Sequence, residues 1–195
     1  MSDNFEPLEL HPDRLFSSDP AVVAIARKLY ESIKDLPIIS PHGHTDPSWF
    51  NENKNFGNAT ELFIKPDHYV FRMLYSQGIP MTDLGVPEHG LEGDMARAKA
   101  ADPRKVWQIF ADNYHLYAGT PSGYWLDAVF SDVFGFTQKL CSDNAIEYYE
   151  QITLCQVTED QIEAEFTKQK QRYMLTTNQK SHHALPKFDT KLEEL

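Results

Sequence analysis

Two cysteines, Cys141 and Cys155, are all that the 195 residues contain. They lack the paired spacing of a disulfide framework, which predicts a reduced, cytosolic protein. Positive charge is scarce too: 18 Lys and Arg stand against 29 Asp and Glu, a formal net charge of −11. That balance argues against a nucleic-acid backbone or an anionic membrane surface as partner. It leaves room for a small anionic substrate, because a few local cations can override the global field. No apolar run approaches the roughly 20 residues of a membrane span. The opening MSDNFEPLELHPDRLF is acidic and lacks the basic and apolar regions of a signal peptide. A Gly-rich phosphate loop, a serine nucleophile elbow, an internal repeat and a low-complexity tract are all missing. What the chain does have is 41% hydrophobic and 12% aromatic residues, enough to build a core. The expected class is a soluble cytoplasmic protein.

After an irregular lead with Pro7 and Pro12, Ser18-Asp19-Pro20 offers an N-cap and a proline at the first helical turn. Val22, Ile25, Leu29, Ile33 and Leu36 then recur at spacings of three and four, predicting an amphipathic helix that Asp35-Leu36-Pro37 ends. Ile38-Ile39-Ser40 is short, apolar and β-branched, as a buried strand would be. Pro41 and Gly43 break its pairing. Residues 49–58 are polar and turn-rich and read as a loop. From Ala59 the pattern is largely helical, with helices predicted over 67–75, 102–117, 123–133, 144–154 and 159–171. Thr120-Pro121-Ser122 supplies another capping signal. Residues 173–177 form a second candidate strand, and 186–195 a poorly ordered tail.

Chemistry concentrates in two places. In an extended chain His42 and His44 point to one side while Gly43 lets the backbone turn beneath them. Two neutral imidazoles converging at a strand exit suit a divalent metal, zinc foremost. By itself HxH is also what an ordinary surface or core pair looks like. Asp46 could accept a ring N–H from such a ligand, or simply cap the Pro47 turn. The second place is KPDHYVFR, residues 65–72. A helix starting near Asp67 groups His68, Tyr69 and Arg72 at its first turns, where the helix N-terminus favours an anion. That set could hold a carboxylated, polyhydroxylated ligand; the plainer alternative is surface packing and pairing by Tyr69 and Arg72. His115, in the aromatic run DNYHLY, reads as a satisfied core or interface histidine. His182 and His183 are adjacent and point apart, which disfavours a metal there. Trp107 and Trp125 read as packing.

Several segments together resemble the uronate isomerase family, also called glucuronate isomerase, a branch of the amidohydrolase superfamily. They are LHPDRLF, DLPIISPHGHTDPSWF, NATELFIKPDHYVFRMLYSQGI, DPRKVWQIFADNYHLYAGTPSGYWL and VFGF, in the family's order from about residue 8 to residue 140. Past residue 155 the match fades, although MLTTNQKSHHAL is similar to the family's second strand and the segment after it.

The resemblance implies a (β/α)8 TIM barrel with its site at the C-terminal strand ends. This chain would supply the first one or two strands plus a large helical insertion. Its own composition would be mostly α. The implied divisions are 1–58 for the N-terminal helix and first strand, 59–171 for the insertion, and 172–195 for a second-strand remnant and tail. His42 and His44 become metal ligands. His68 and Tyr69 become the pair facing the sugar acid, with Arg72 in the same motif. The implied reaction is aldose–ketose isomerisation of D-glucuronate to D-fructuronate and of D-galacturonate to D-tagaturonate. The family's base is an aspartate at the end of the last barrel strand, a position these residues do not contain. Two histidines also fall short of the three protein ligands usual at a catalytic zinc. The chain therefore reads as an N-terminal portion, inactive by itself, that works with a C-terminal barrel portion or as a homo-oligomer. Two other readings remain: a non-catalytic helical binding or assembly module, and a metal-dependent hydrolase of the same superfamily, against which KPDHYVFR and GTPSGYWL weigh.

Overall fold

The computed structural model describes residues 5–40, 51–52, 57–154 and 173–175, the last three and 38–40 by backbone alone. The chain divides into two compact units, Met1–Pro12 with Phe56–Gln156, and Asp13–Asn55 with Val157–Leu195.

The second unit opens on α1, Pro20–Ile33. The predicted cap forms: the Asp19 carboxylate accepts from the Ala21 N–H at 2.8 Å, and Pro20 occupies a position that has no N–H to satisfy. The helix closes at Ile33, three residues before the expected Leu36. Strand β1, Ile38–Ser40, follows as predicted and pairs in parallel with β2, Tyr173–Leu175, the described part of the second predicted strand. The register sets Ile38 against Tyr173, Ile39 against Met174 and Ser40 against Leu175. A parallel pair cannot be closed by a hairpin and needs a long crossover, here the whole stretch between residues 40 and 173. Within residues 49–58, expected to be loop throughout, Asn51 and Glu52 are helical; nothing in the described residues explains it.

The first unit contains helices α2 (Ala59–Phe63), α3 (His68–Ser76), α4 (Glu92–Ala100), α5 (Pro103–Asp112), α6 (Pro121–Asp132) and α7 (Ala145–Leu154). Short 3-10 turns at Met81–Leu84, Tyr114–Tyr117 and Ser142–Asn144 link them. Local chemistry sets most of the starts. Asn58, Asp67, Asp102 and Thr120 each cap the helix that follows by accepting a backbone N–H. The lead segment is not irregular throughout. Leu8 N–H donates to Thr137 O and Lys139 N–H to Glu6 O, an antiparallel bridge that buries Leu8.

The core of this unit is aromatic. Phe63, Trp107, Phe110, Phe130 and Tyr148 form a continuous set of ring contacts, with centroids 5.5 Å apart for Phe63 and Phe130 and 5.2 Å for Phe130 and Tyr148. Edge-to-face pairing of this kind suits the ring quadrupole. Polar atoms drawn into the core are paired. Trp107 Nε1 donates to Ala145 O at 2.9 Å, Thr60 Oγ1 donates to Pro103 O at 2.6 Å, and Tyr148 OH donates to Gln138 O. Asn144 clasps its turn, accepting from Cys141 N–H and donating to Lys139 O. Trp125 departs from its reading as packing: its ring touches Phe63, yet the residue is 47% exposed.

Candidate functional site

Helix α3 carries the second sequence motif. Its start is fixed by the Asp67 carboxylate, which accepts from Tyr69 N–H at 2.8 Å. Its inward face is fixed by Val70 and Leu74, both fully buried. Tyr117 reaches across from the turn after α5 and donates its phenol to Val70 O at 2.7 Å. The helix is thus held from one side, and the residues at 68, 69 and 72 occupy the remaining arc. His68 and Tyr69 lie with ring centroids 4.2 Å apart and planes tilted by 34°. Tyr69 is 66% exposed and Arg72 is exposed as well. Arg72 sits one turn from both, at the i+3 and i+4 spacings that share a helix face. The structure therefore brings together a guanidinium, a phenol and an imidazole beside a helix N-terminus. A guanidinium offers a carboxylate two parallel N–H donors, while imidazole and phenol can bond sugar hydroxyls.

The segment leading into α3 is also pinned. Lys65 pairs with Glu61 at 2.5 Å and lies across Gly85, which has φ +76°. A Cβ at residue 85 would fall 2.4 Å from Lys65 Cε, so the bare backbone leaves the lysine its path.

His42 and His44 lie outside the described residues; β1 ends two residues before His42. Asp46, His182 and His183 lie outside them as well. Among the described residues no group of three or more His, Cys, Asp and Glu is placed to hold a metal. Nor is any helix among them long and apolar enough to cross a membrane.

His115 is exposed, which corrects the core half of its reading as a core or interface histidine. The predicted helix through residue 117 stops at Asp112, and the tighter 3-10 turn sends Tyr114 and Tyr117 inward and His115 out. That turn forms one wall of a cleft of about 350 Å³ that the sequence did not disclose. Its lining includes Tyr114, His115, Asp127, Lys139 and Cys141. Inside it Tyr114 donates to Asp127 at 2.7 Å, and Lys139 is tied to Glu6.

Burial pushes the Tyr114 phenol far above its ordinary value near 10, and the Asp127 carboxylate beside it adds to the effect. Burial, then the charge of Asp67, likewise raises Tyr117. Both phenols therefore stay protonated in the folded protein at pH values where an unfolded chain would ionise. Stability is full below about pH 10 and falls as pH climbs above it, by about 1.4 kcal/mol per pH unit for each phenol. Alkaline titration should show the part of the tyrosinate absorbance that Tyr114→Phe and Tyr117→Phe remove appearing together with loss of helical circular dichroism. Tyr114→Phe and Tyr117→Phe should each flatten that fall.

Comparison with known proteins gives a consistent result. The family model for glucuronate isomerase matches residues 20–192. The chain is 54% identical over 146 residues to the uronate isomerase of Phenylobacterium zucineum, covering 75% of the chain and 29% of that protein. Among solved structures it is similar to glucuronate isomerase from Caulobacter crescentus, with TM-score 0.77 and 46% identity over 92% of this chain and 38% of that one. Uronate isomerase from Thermotoga maritima shares the fold at TM-score 0.59 and 22% identity, covering 74% of this chain and 28% of that one. The chain spans about 29% of the length of the Phenylobacterium relative.

Proposed function

The chain belongs to the glucuronate isomerase family, and from that membership we propose that it supplies the N-terminal part of a uronate isomerase site. The single observation that carries this reading is the family match over residues 20–192, which takes in both the HGH segment and α3. On this reading β1 and β2 are the first two strands of a (β/α)8 barrel of the amidohydrolase superfamily. Residues 1–58 bring the first strand, 59–171 the helical insertion and 172–195 the second-strand remnant. Parallel pairing of β1 and β2 supports it. The protein works in the cytoplasm on D-glucuronate and D-galacturonate.

The roles follow from donor chemistry. Arg72 binds the substrate carboxylate, and the positive end of α3 reinforces it. His68 and Tyr69 bond hydroxyls and orient the sugar acid. His42 and His44 offer two neutral nitrogen donors, which fits zinc or a similar divalent ion once other residues complete the set. Such an ion, when bound, polarises substrate oxygens. Isomerisation moves the C2 proton to C1 through an enediol-like species and needs a base that collects and returns it. An aspartate from outside residues 1–195 serves as that base.

This division of labour has a direct consequence. The purified 195-residue chain, made in a host lacking its own isomerase, should give no turnover of D-glucuronate in a coupled assay, with or without added Zn²⁺. Turnover that disappears in His42→Ala or His44→Ala would mean the chain holds a whole site by itself and would overturn the division. A chain that stays inactive and binds no sugar acid even when completed would favour the non-catalytic helical module.

A further inference from the structure

The GTPSGYWL block, residues 119–126, supplies no side chain to the proposed site, yet its first half is built around Tyr117. Thr120 N–H and Thr120 Oγ1 both donate to Tyr117 O, at 3.0 and 2.7 Å, and the same hydroxyl accepts from Gly123 N–H at 3.0 Å. A Cβ at residue 123 would fall 2.1 Å from Tyr117 O, so only glycine lets the start of α6 close this tightly on it. The Tyr117 ring is held as well. It is buried, with the Phe110 and Tyr114 rings at 5.5 and 6.0 Å. Its phenol ends on Val70 O at 2.7 Å, and the charge of Asp67, the cap of α3, reaches the same hydroxyl.

We propose that Tyr117 is a positioning residue for the sugar-acid site, fixing through Val70 O where α3 presents Tyr69 and Arg72; this rests on the reading given above. Within an α-helix a carbonyl at residue 70 pairs with the N–H at residue 74. The phenol bonds the second lone pair, so α3 does not need it to be a helix. What the bond adds is a fixed point, one residue after Tyr69 and two before Arg72. Those two side chains are exposed and have no buried contact of their own to aim them, so the backbone beneath them sets where they can reach. Buried tyrosines commonly find a carbonyl for structural reasons alone. Tyr148 does so in the same core, with Gln138 O outside α3, and serves as the control.

The test uses the 195-residue chain, and that chain joined to the part of the Caulobacter protein that it does not match. In the chain alone, Tyr117→Phe should shift the NMR resonances of the His68 ring, which lies 4.2 Å from Tyr69, and of Arg72 Nε–H, while Tyr148→Phe should leave both in place. In the joined protein Tyr117→Phe should raise the KM for D-glucuronate about threefold to tenfold, the worth of one hydrogen bond, with kcat little changed. Tyr148→Phe should leave the KM where it is. Made together with Arg72→Met, Tyr117→Phe should add no more than about twofold, because the side chain it positions is gone. Unmoved His68 and Arg72 resonances in Tyr117→Phe would overturn the proposal. So would an unchanged KM, an equal rise in Tyr148→Phe, or a full Tyr117→Phe effect on top of Arg72→Met. An inactive joined protein in which the resonances still move would uphold the hold of Tyr117 on α3 and contradict the proposed site instead.

Discussion

Trp107→Ala is expected to destabilise the first unit by about 3–5 kcal/mol, the range for emptying a large aromatic site in a packed core. Three features place it at the upper end. The indole is fully buried, its ring contacts Phe63, Phe110, Phe130 and Tyr149, and its N–H is the partner of Ala145 O. Alanine opens a cavity between α2, α5 and α7 and leaves a carbonyl at the start of α7 without that donor. Domains of this size are stable by only about 5–15 kcal/mol, so such a loss would move the denaturant midpoint steeply. Trp107→Phe separates the terms, since it keeps most of the ring volume and gives up only the hydrogen bond; it should cost a good deal less. A midpoint unchanged in Trp107→Ala would show that α2, α5 and α7 do not share one core.

Arg72→Met, made in the chain joined to the remainder of the Caulobacter protein, is expected to raise the KM for D-glucuronate by roughly 10- to 150-fold, the equivalent of about 1.5–3 kcal/mol for hydrogen bonds to a charged group. Methionine retains much of the arginine stem, so packing on α3 changes little. The fold should tolerate it, because Arg72 is exposed while Val70 and Leu74 hold the helix. Arg72→Lys should recover part of the affinity through charge but not the bidentate geometry. Inhibition by a neutral sugar should be indifferent to all three side chains. A KM that does not move, or a loss shared equally by neutral sugars, would remove Arg72 from the carboxylate site.

Much of this was legible in the sequence, for local reasons. Asp19-Pro20, Asp67 and Thr120-Pro121 are short-range capping signals, and the helices they open begin within two residues of expectation. The α3 cluster was legible for the same reason: His68, Tyr69 and Arg72 are neighbours on one helix, so local structure alone brings them together. Other features depend on distant residues. The aromatic pattern of residues 102–117 reads as one helix, but the core needs Tyr114 and Tyr117 to face inward together, and the chain tightens after Asp112 to allow it. Helix α4 went unpredicted because it buries only Ala98 and carries no apolar stripe. The bridge of Pro7 to Gln138 and the cleft beside Tyr114 join segments more than 20 residues apart, which no local pattern encodes.

The most direct measurement is D-glucuronate isomerisation by the 195-residue chain joined to that remainder, in a host without its own isomerase. The account predicts turnover that the unjoined chain lacks and that His42→Ala and His44→Ala abolish. A joined protein that folds and stays inactive, or one whose turnover survives both substitutions, would contradict the claim that these residues form part of a uronate isomerase site.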